Sequence, residues 1–378
     1  MIYTGALIIT FLFWVRTTNI TKNLALFLFF ILTIKLLIVN FGLLDDKLAG
    51  ARAFSNFSTG DYRLNTFFPT LLLNIPAFLM GSGEKSSALT NTLLSVITPV
   101  MAIQLFESKV IVLSKKLILF FLVPSVFLWG CFGLREYVII FYIILAYNYY
   151  FRKRYLLATI FITLVIISRP EYGVFLPIII ILLTYRKVNS YLKLGLISII
   201  PVLLVYGLSY LFEYAIQNFT SSDVNGLDLG LLEMLMDARF YRQFKSDGGS
   251  TAFYSISVYQ KMTMTEKISS NIYNSILLFN SSSIRNIIIF GLDTSALLIF
   301  LLSFIDRRFL LSKSRFLAVL FLFMVLIVIT SMVVNGGNAF RMRFVPLFFL
   351  GILFVMPFSY LGQTNLKNSR QSAESSAQ

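Results

Sequence analysis

Arginine, tyrosine and a few carboxylates recur together along this chain, and these are the residue types equipped for chemistry. The stretch "NGGNAFRMRF" (335–344) sets Arg341 and Arg343 two positions apart behind Asn338. In "SRPEYG", Arg169 is followed by Glu171 and Tyr172, and "GLREY" repeats that composition with Arg135, Glu136 and Tyr137. "DARFYRQFKSDGGS" (237–250) spaces Arg239, Arg242 and Lys245 three apart, with Phe240, Tyr241 and Phe244 between them. "LLDDK" carries the adjacent Asp45 and Asp46. Guanidinium forks match phosphate oxygens, and a carboxylate or tyrosine can take the proton from an incoming sugar hydroxyl. Such a set suits transfer of a sugar away from a phosphate leaving group, whose charge grows as the anomeric bond breaks.

Each group also has a plainer reading. Asp45 and Asp46 can act as a general base or hold a divalent cation, or they can balance Lys47, Arg52 and Arg63 in an ordinary polar loop. Adjacent Arg and Glu can neutralise one another, and arginine heads can snorkel to a membrane interface. Other chemistries are closed off more firmly. The chain has no histidine and a single cysteine, Cys131, which removes disulfides, Cys/His zinc sites and histidine acid–base schemes.

The elements that must position these residues are membrane helices. Of 378 residues, 57% are hydrophobic and 13% charged, and the mean hydropathy is +0.81, too apolar for a soluble domain of this length. The expected fold is all-α, a polytopic helical membrane protein with about 11–12 spans. Apolar runs near 2–15, 24–43, 89–105, 112–130, 133–150, 155–168, 172–185, 192–212, 288–304, 316–334 and 345–361 supply them. The run 66–80 is short and carries Pro69 and Pro76, which fits a re-entrant or interfacial helix. Residues 1–362 form one membrane domain in this reading, with 213–287 as its long outer loop and 363–378 as a disordered cytoplasmic tail.

Charge orients the spans. Arg152–Arg154, the group Arg186, Lys187 and Lys193, and the group Arg307, Arg308, Lys313 and Arg315 occupy alternate connections, as the positive-inside bias requires. These connections carry much of the formal +15, so the basic excess is topological and implies no nucleic-acid partner. The connections at 131–136, 169–172, 213–287 and 335–344 then face outward. Arginines there run against the bias and need another reason. Pro346 suits the first turn of the last helix, which predicts an extended "FRMRF" before it. Residues two apart in an extended segment share a side, so Arg341 and Arg343 would face one anion, with "NGG" as a flexible turn beside them. In 237–250, a helix would align Arg239 and Arg242 on one side, and "DGGS" would end it with exposed amides; a helix lying on the membrane surface is the alternative.

This layout resembles the Wzy-type O-antigen or capsule polymerases of bacteria, through the loop "ARFYRQFKSDGGS", the outer arginines and the basic inner loops. The resemblance is architectural and spans the chain, while its motifs are of low specificity. It implies a multi-pass bacterial inner-membrane glycosyltransferase that moves a growing glycan from undecaprenyl diphosphate onto a new repeat unit, without a metal or other cofactor. Its partners would be the undecaprenyl-diphosphate-linked glycan, the lipid bilayer and a chain-length regulator protein. Under this reading, Arg239, Arg242, Arg341, Arg343, Arg169, Glu171, Asp45 and Asp46 are candidate catalytic residues, and Arg135, Tyr137, Tyr172, Tyr241, Lys245 and Asn338 candidate substrate-binding residues. The chain is also similar to GT-C-type glycosyltransferases, through "DD" in an early loop, "FFPTLLLNIPAF" and "RMRFVPLF". Two apolar runs precede its aspartates where that class usually has one. A flippase or other transporter would be expected to carry inverted repeats and polar groups at mid-membrane, for which Lys35 and Asp293 are the candidates.

Overall fold

Among the described residues, several helix starts are set by hydroxyl caps and one by a proline. Thr21 opens the second helix by accepting the Leu24 amide at 3.4 Å, and Ser114 does the same for Leu117 at 3.2 Å. The computed structural model describes residues 2–43, 72–73, 85–106, 110–132, 135–169, 172, 254–277, 326 and 336–355. Among these residues the chain is all-α. Its helices are α1 (Ile2–Thr17), α2 (Lys22–Asn40), α3 (Ser86–Phe106), α4 (Lys115–Leu122), α5 (Pro124–Trp129), α6 (Glu136–Phe151), α7 (Tyr155–Ser168), α8 (Ile256–Tyr259), α9 (Met264–Leu277) and α10 (Gly336–Val355). An isolated parallel bridge joins Ile20 to Ile111.

Two of these helices are long and apolar enough to cross a membrane, Lys22–Asn40 and Ser87–Leu105; shorter apolar helices cover Ile2–Thr17, Glu136–Phe151, Tyr155–Ser168 and Arg343–Ile352. The expected spans at 172–185 and 316–334 are described only at Tyr172 and Leu326, those at 192–212 and 288–304 lie outside the described residues, and of 66–80 only 72–73 are described.

The expected span 112–130 is corrected to two helices. Pro124 lacks an N–H and disfavours helix at the preceding residue, and Val123 accordingly adopts φ −58°, ψ 125°. Pro124 then occupies the first turn of α5, where its missing N–H costs nothing.

The chain divides into two compact units, one comprising Met1–Ser168, Phe300–Lys313 and Gly351–Gln378, the other Arg169–Ile299 and Ser314–Leu350. In the first, α6 packs against α7 and α3, and α3 packs in turn against α2 and α1. α3 buries a stripe of small polar residues, Ser87, Thr90, Asn91, Thr92, Ser95 and Thr98, among its apolar ones. That stripe faces the end of α5. The Asn91 amide donates to the carbonyls of Trp129 and Phe132 at 3.0 and 2.6 Å, and the Thr92 hydroxyl reaches the Gly130 carbonyl at 3.0 Å. Carbonyls that lose their helical partners away from water need such donors, and α3 supplies them. On the outer side of α1 and α2, Ile9, Phe13, Leu26 and Phe30 stay exposed.

In the second unit, α9 opens with a reciprocal cap. Glu266 accepts from the Thr263 amide at 2.8 Å and from its hydroxyl at 2.9 Å, while the Thr263 hydroxyl oxygen takes the Glu266 amide at 3.4 Å. The face of α9 that is buried is polar, formed by Lys267, Asn271 and Asn274 at helical spacing.

Candidate functional site

The last described helix carries the arginines of "FRMRF" and corrects the extended conformation expected for them. α10 runs unbroken from Gly336 to Val355 and contains Pro346 in its interior rather than in its first turn. Asn338, Arg341 and Arg343 are therefore helical. An α-helix turns about 100° per residue, so positions two apart differ by roughly 200° and do not share a face. The extended segment on which the pairing of Arg341 with Arg343 was expected to rest is replaced by helical backbone. The physical reason is burial. Phe344, Val345, Phe348, Leu350 and Ile352 are all buried, and packing of that many large apolar residues outweighs the roughly 3 kcal/mol that a proline costs a helix interior.

Arg343 itself is 2% exposed and is engaged by its surroundings. An interfacial anchor behaves otherwise, since a snorkelling arginine keeps its head in water or among lipid headgroups. Here the guanidinium is buried, on a helix where the neighbouring Phe344 ring packs 6.2 Å from that of Phe348.

Arg169 and Tyr172 belong to the same unit as Arg343. The two are brought together by the backbone, the Tyr172 amide donating to the Arg169 carbonyl at 3.1 Å, and Tyr172 is buried. A proline next in the sequence disfavours helix at Arg169, and α7 ends at Ser168. Glu171, between them, lies outside the described residues, as do Asp45, Asp46, Arg239, Tyr241, Arg242 and Lys245.

Arg135 and Tyr137 belong to the other unit. Arg135 precedes the first turn of α6 with φ −73°, ψ −9°, and its carbonyl accepts the Ile139 amide at 3.0 Å. Glu136 is buried in that first turn, where a carboxylate is favoured by the amide end of the helix. Tyr137 is fully buried and donates its hydroxyl to the Val126 carbonyl at 2.7 Å. The structure thus places Tyr137 in the interior, tying α6 to α5.

Sequence reasoning passed over two polar groups. One is the stripe on α3, whose signal was present in "SALTNTLLSVIT" as small polar residues at helical spacing inside an apolar run. The other is the set around α9. The Lys267 ammonium stands over the Tyr259 ring at 5.0 Å, and the Asn274 amide bonds the Tyr254 hydroxyl. Burial raises the Tyr254 hydroxyl pKa, while the side-chain bonds from Ser270 and Asn274 act in the opposite direction. Among the described residues no group of three His, Cys, Asp or Glu side chains is assembled that would hold a metal ion. Set against known protein families, curated proteins and solved structures, the chain matches none of them.

Proposed function

We propose that this chain is a multi-pass bacterial inner-membrane glycosyltransferase that polymerises undecaprenyl-diphosphate-linked oligosaccharide repeat units at the outer face of that membrane. The observation that carries the reading is the buried guanidinium of Arg343 on an apolar helix. A charge kept inside such a helix is costly and marks a functional position rather than an anchor. The large apolar side chains left exposed on α1 and α2 support a lipid surround, and the basic clusters at alternate connections support many spans.

In this scheme Arg343 stabilises the diphosphate as the anomeric C–O bond to it breaks. A hydroxyl of the acceptor sugar forms the new C–O bond and gives its proton to a carboxylate, for which Glu171 is the candidate in the same stretch as Arg169 and Tyr172. Arg239 and Arg242 are candidate contacts to the remaining phosphate charge. The test is purified chain in lipid vesicles with a polyprenyl-diphosphate-linked repeat unit. A ladder of products supports polymerisation, whereas addition of one sugar would assign the GT-C-type reaction and no transfer a transporter. Arg343→Ala should lower turnover by about 30- to 1,000-fold at equal membrane level, as expected for loss of one charge-assisted contact of about 2–4 kcal/mol. Arg343→Lys should recover little of it, because an ammonium lacks the bidentate fork. A reporter joined at Ser250 that reads as cytoplasmic would overturn the orientation.

A further inference from the structure

We propose that the buried cluster where α2, α3 and α5 meet is a site for a small monovalent cation, filled from within by the ammonium of Lys35. Lys35 lies in the middle of the apolar helix α2 and is 0% exposed. Its Nζ donates to Ser95 Oγ at 2.8 Å and to the Val126 carbonyl at 3.3 Å, and stands 5.2 Å from the centre of the Phe127 ring. These described partners are neutral oxygens and a ring face, the donor set of a monovalent cation; a hard divalent ion would call for carboxylates.

The oxygens are turned toward that charge by their own bonds. Ser95 commits its hydroxyl proton to the Thr92 carbonyl at 2.7 Å, which leaves its lone pairs for the ammonium. Val126 is among the last four residues of α5, whose carbonyls have no partners inside the helix and carry its negative end. The neighbouring Cys131 thiol donates to the Phe127 carbonyl at 3.7 Å. Gly130 completes the shape: a Cβ there would run into the Ser95 side chain and come within 2.8 Å of Lys35 Nζ. Glycine is what allows the backbone this close to the cation. A tethered ammonium cannot be lost to the surrounding lipid, so the break between α5 and α6 stays closed onto α3.

Lys35→Ala removes three methylenes and the ammonium, the size of n-propylammonium, so the full chain in lipid nanodiscs should bind that ion in the vacated space. The variant is expected to melt well below the native chain. n-Propylammonium chloride should restore the midpoint in a saturable manner, while tetramethylammonium chloride, which has no N–H to donate, should not. Lys35→Met fills the volume without the charge and should melt low and ignore both salts. Native-like melting of Lys35→Met, or equal indifference of Lys35→Ala to both salts, overturns the proposal. Gly130→Ala gives an independent reading where Lys35→Ala fails to accumulate. Crowding by the new Cβ should push the Ser95 hydroxyl off the ammonium and make Lys35 more reactive toward a membrane-permeant amine-acylating reagent, detected by mass spectrometry, while in the native chain it stays protected. Equal protection in both chains would also overturn it.

Discussion

Lys35 and Lys267 are both buried, at 0% and 2% exposure, yet their described surroundings differ in kind. Lys35 sits on an apolar helix and finds Ser95 and Val126, 60 and 91 residues further along the chain. Lys267 sits on α9, and its ammonium meets the ring of Tyr259, eight residues earlier. A buried cation must be matched wherever it is, but the match can be assembled by tertiary packing or by a local turn. The first kind leaves almost no trace in sequence, whereas the second leaves a helical spacing, Lys267, Asn271 and Asn274 on one face with tyrosines just before the helix.

That contrast can be broken most severely from the α3 side. Asn91→Ala removes a donor from two carbonyls at the α5 break, that of Phe132 and that of Trp129, which keeps the Phe132 amide at 3.4 Å. At about 1–3 kcal/mol for the first and about 0.5–1.5 kcal/mol for the second, it should destabilise the full chain by roughly 1.5–4.5 kcal/mol in lipid. An unchanged unfolding midpoint would mean that the break is held by other contacts.

The local arrangement should yield less. Tyr259→Leu removes the ring beneath Lys267, a desolvated cation–π contact of about 2 kcal/mol, while Tyr259→Phe keeps the ring and should recover most of that loss. A leucine variant as stable as the phenylalanine one would show that the ring face carries nothing. Tyr137→Phe comes next, since the Val126 carbonyl keeps Lys35 as a donor when the hydroxyl goes, and a loss of about 0.5–1.5 kcal/mol is expected. A much larger loss would make Tyr137, rather than Lys35, the principal tie to α5.

The smallest effect is electrostatic. The Thr263 amide, and then its hydroxyl, hold the Glu266 carboxyl below its ordinary pKa. A carboxyl lowered on folding adds stability above its unfolded pKa, and that contribution disappears as pH falls through the lower, folded value. Hydrogen exchange over the first turn of α9 should therefore quicken only at pH below the usual carboxylate range, and Glu266→Gln should flatten the response. A profile shared by both chains would remove the cap from the account.

The candidate site was legible in part. The proline after Arg169 was read as ending one helix there, and α7 does end at Ser168, with the Tyr172 amide on the Arg169 carbonyl. Arg135 and Glu136 were read at a helix start, and α6 begins there. The extended conformation expected for Arg341 and Arg343 was misread because it depended on where α10 begins, which burial of its apolar residues decides. The interior position of Tyr137 was equally invisible, its acceptor being a carbonyl on another helix.

What the sequence determined by itself is the set of apolar runs. The expectations for 2–15, 24–43, 89–105, 133–150 and 155–168 fall within a few residues of α1, α2, α3, α6 and α7, because apolar composition acts over one or two turns. The fate of the prolines was not in the local sequence. Pro99 and Pro346 remain inside helices while Pro124 divides one, although each removes the same backbone donor. Only the tertiary structure decided this, because a helix can end away from water only where donors from elsewhere meet its freed carbonyls, and at the end of α5 the side-chain donors include Asn91, Thr92, Lys35 and Tyr137.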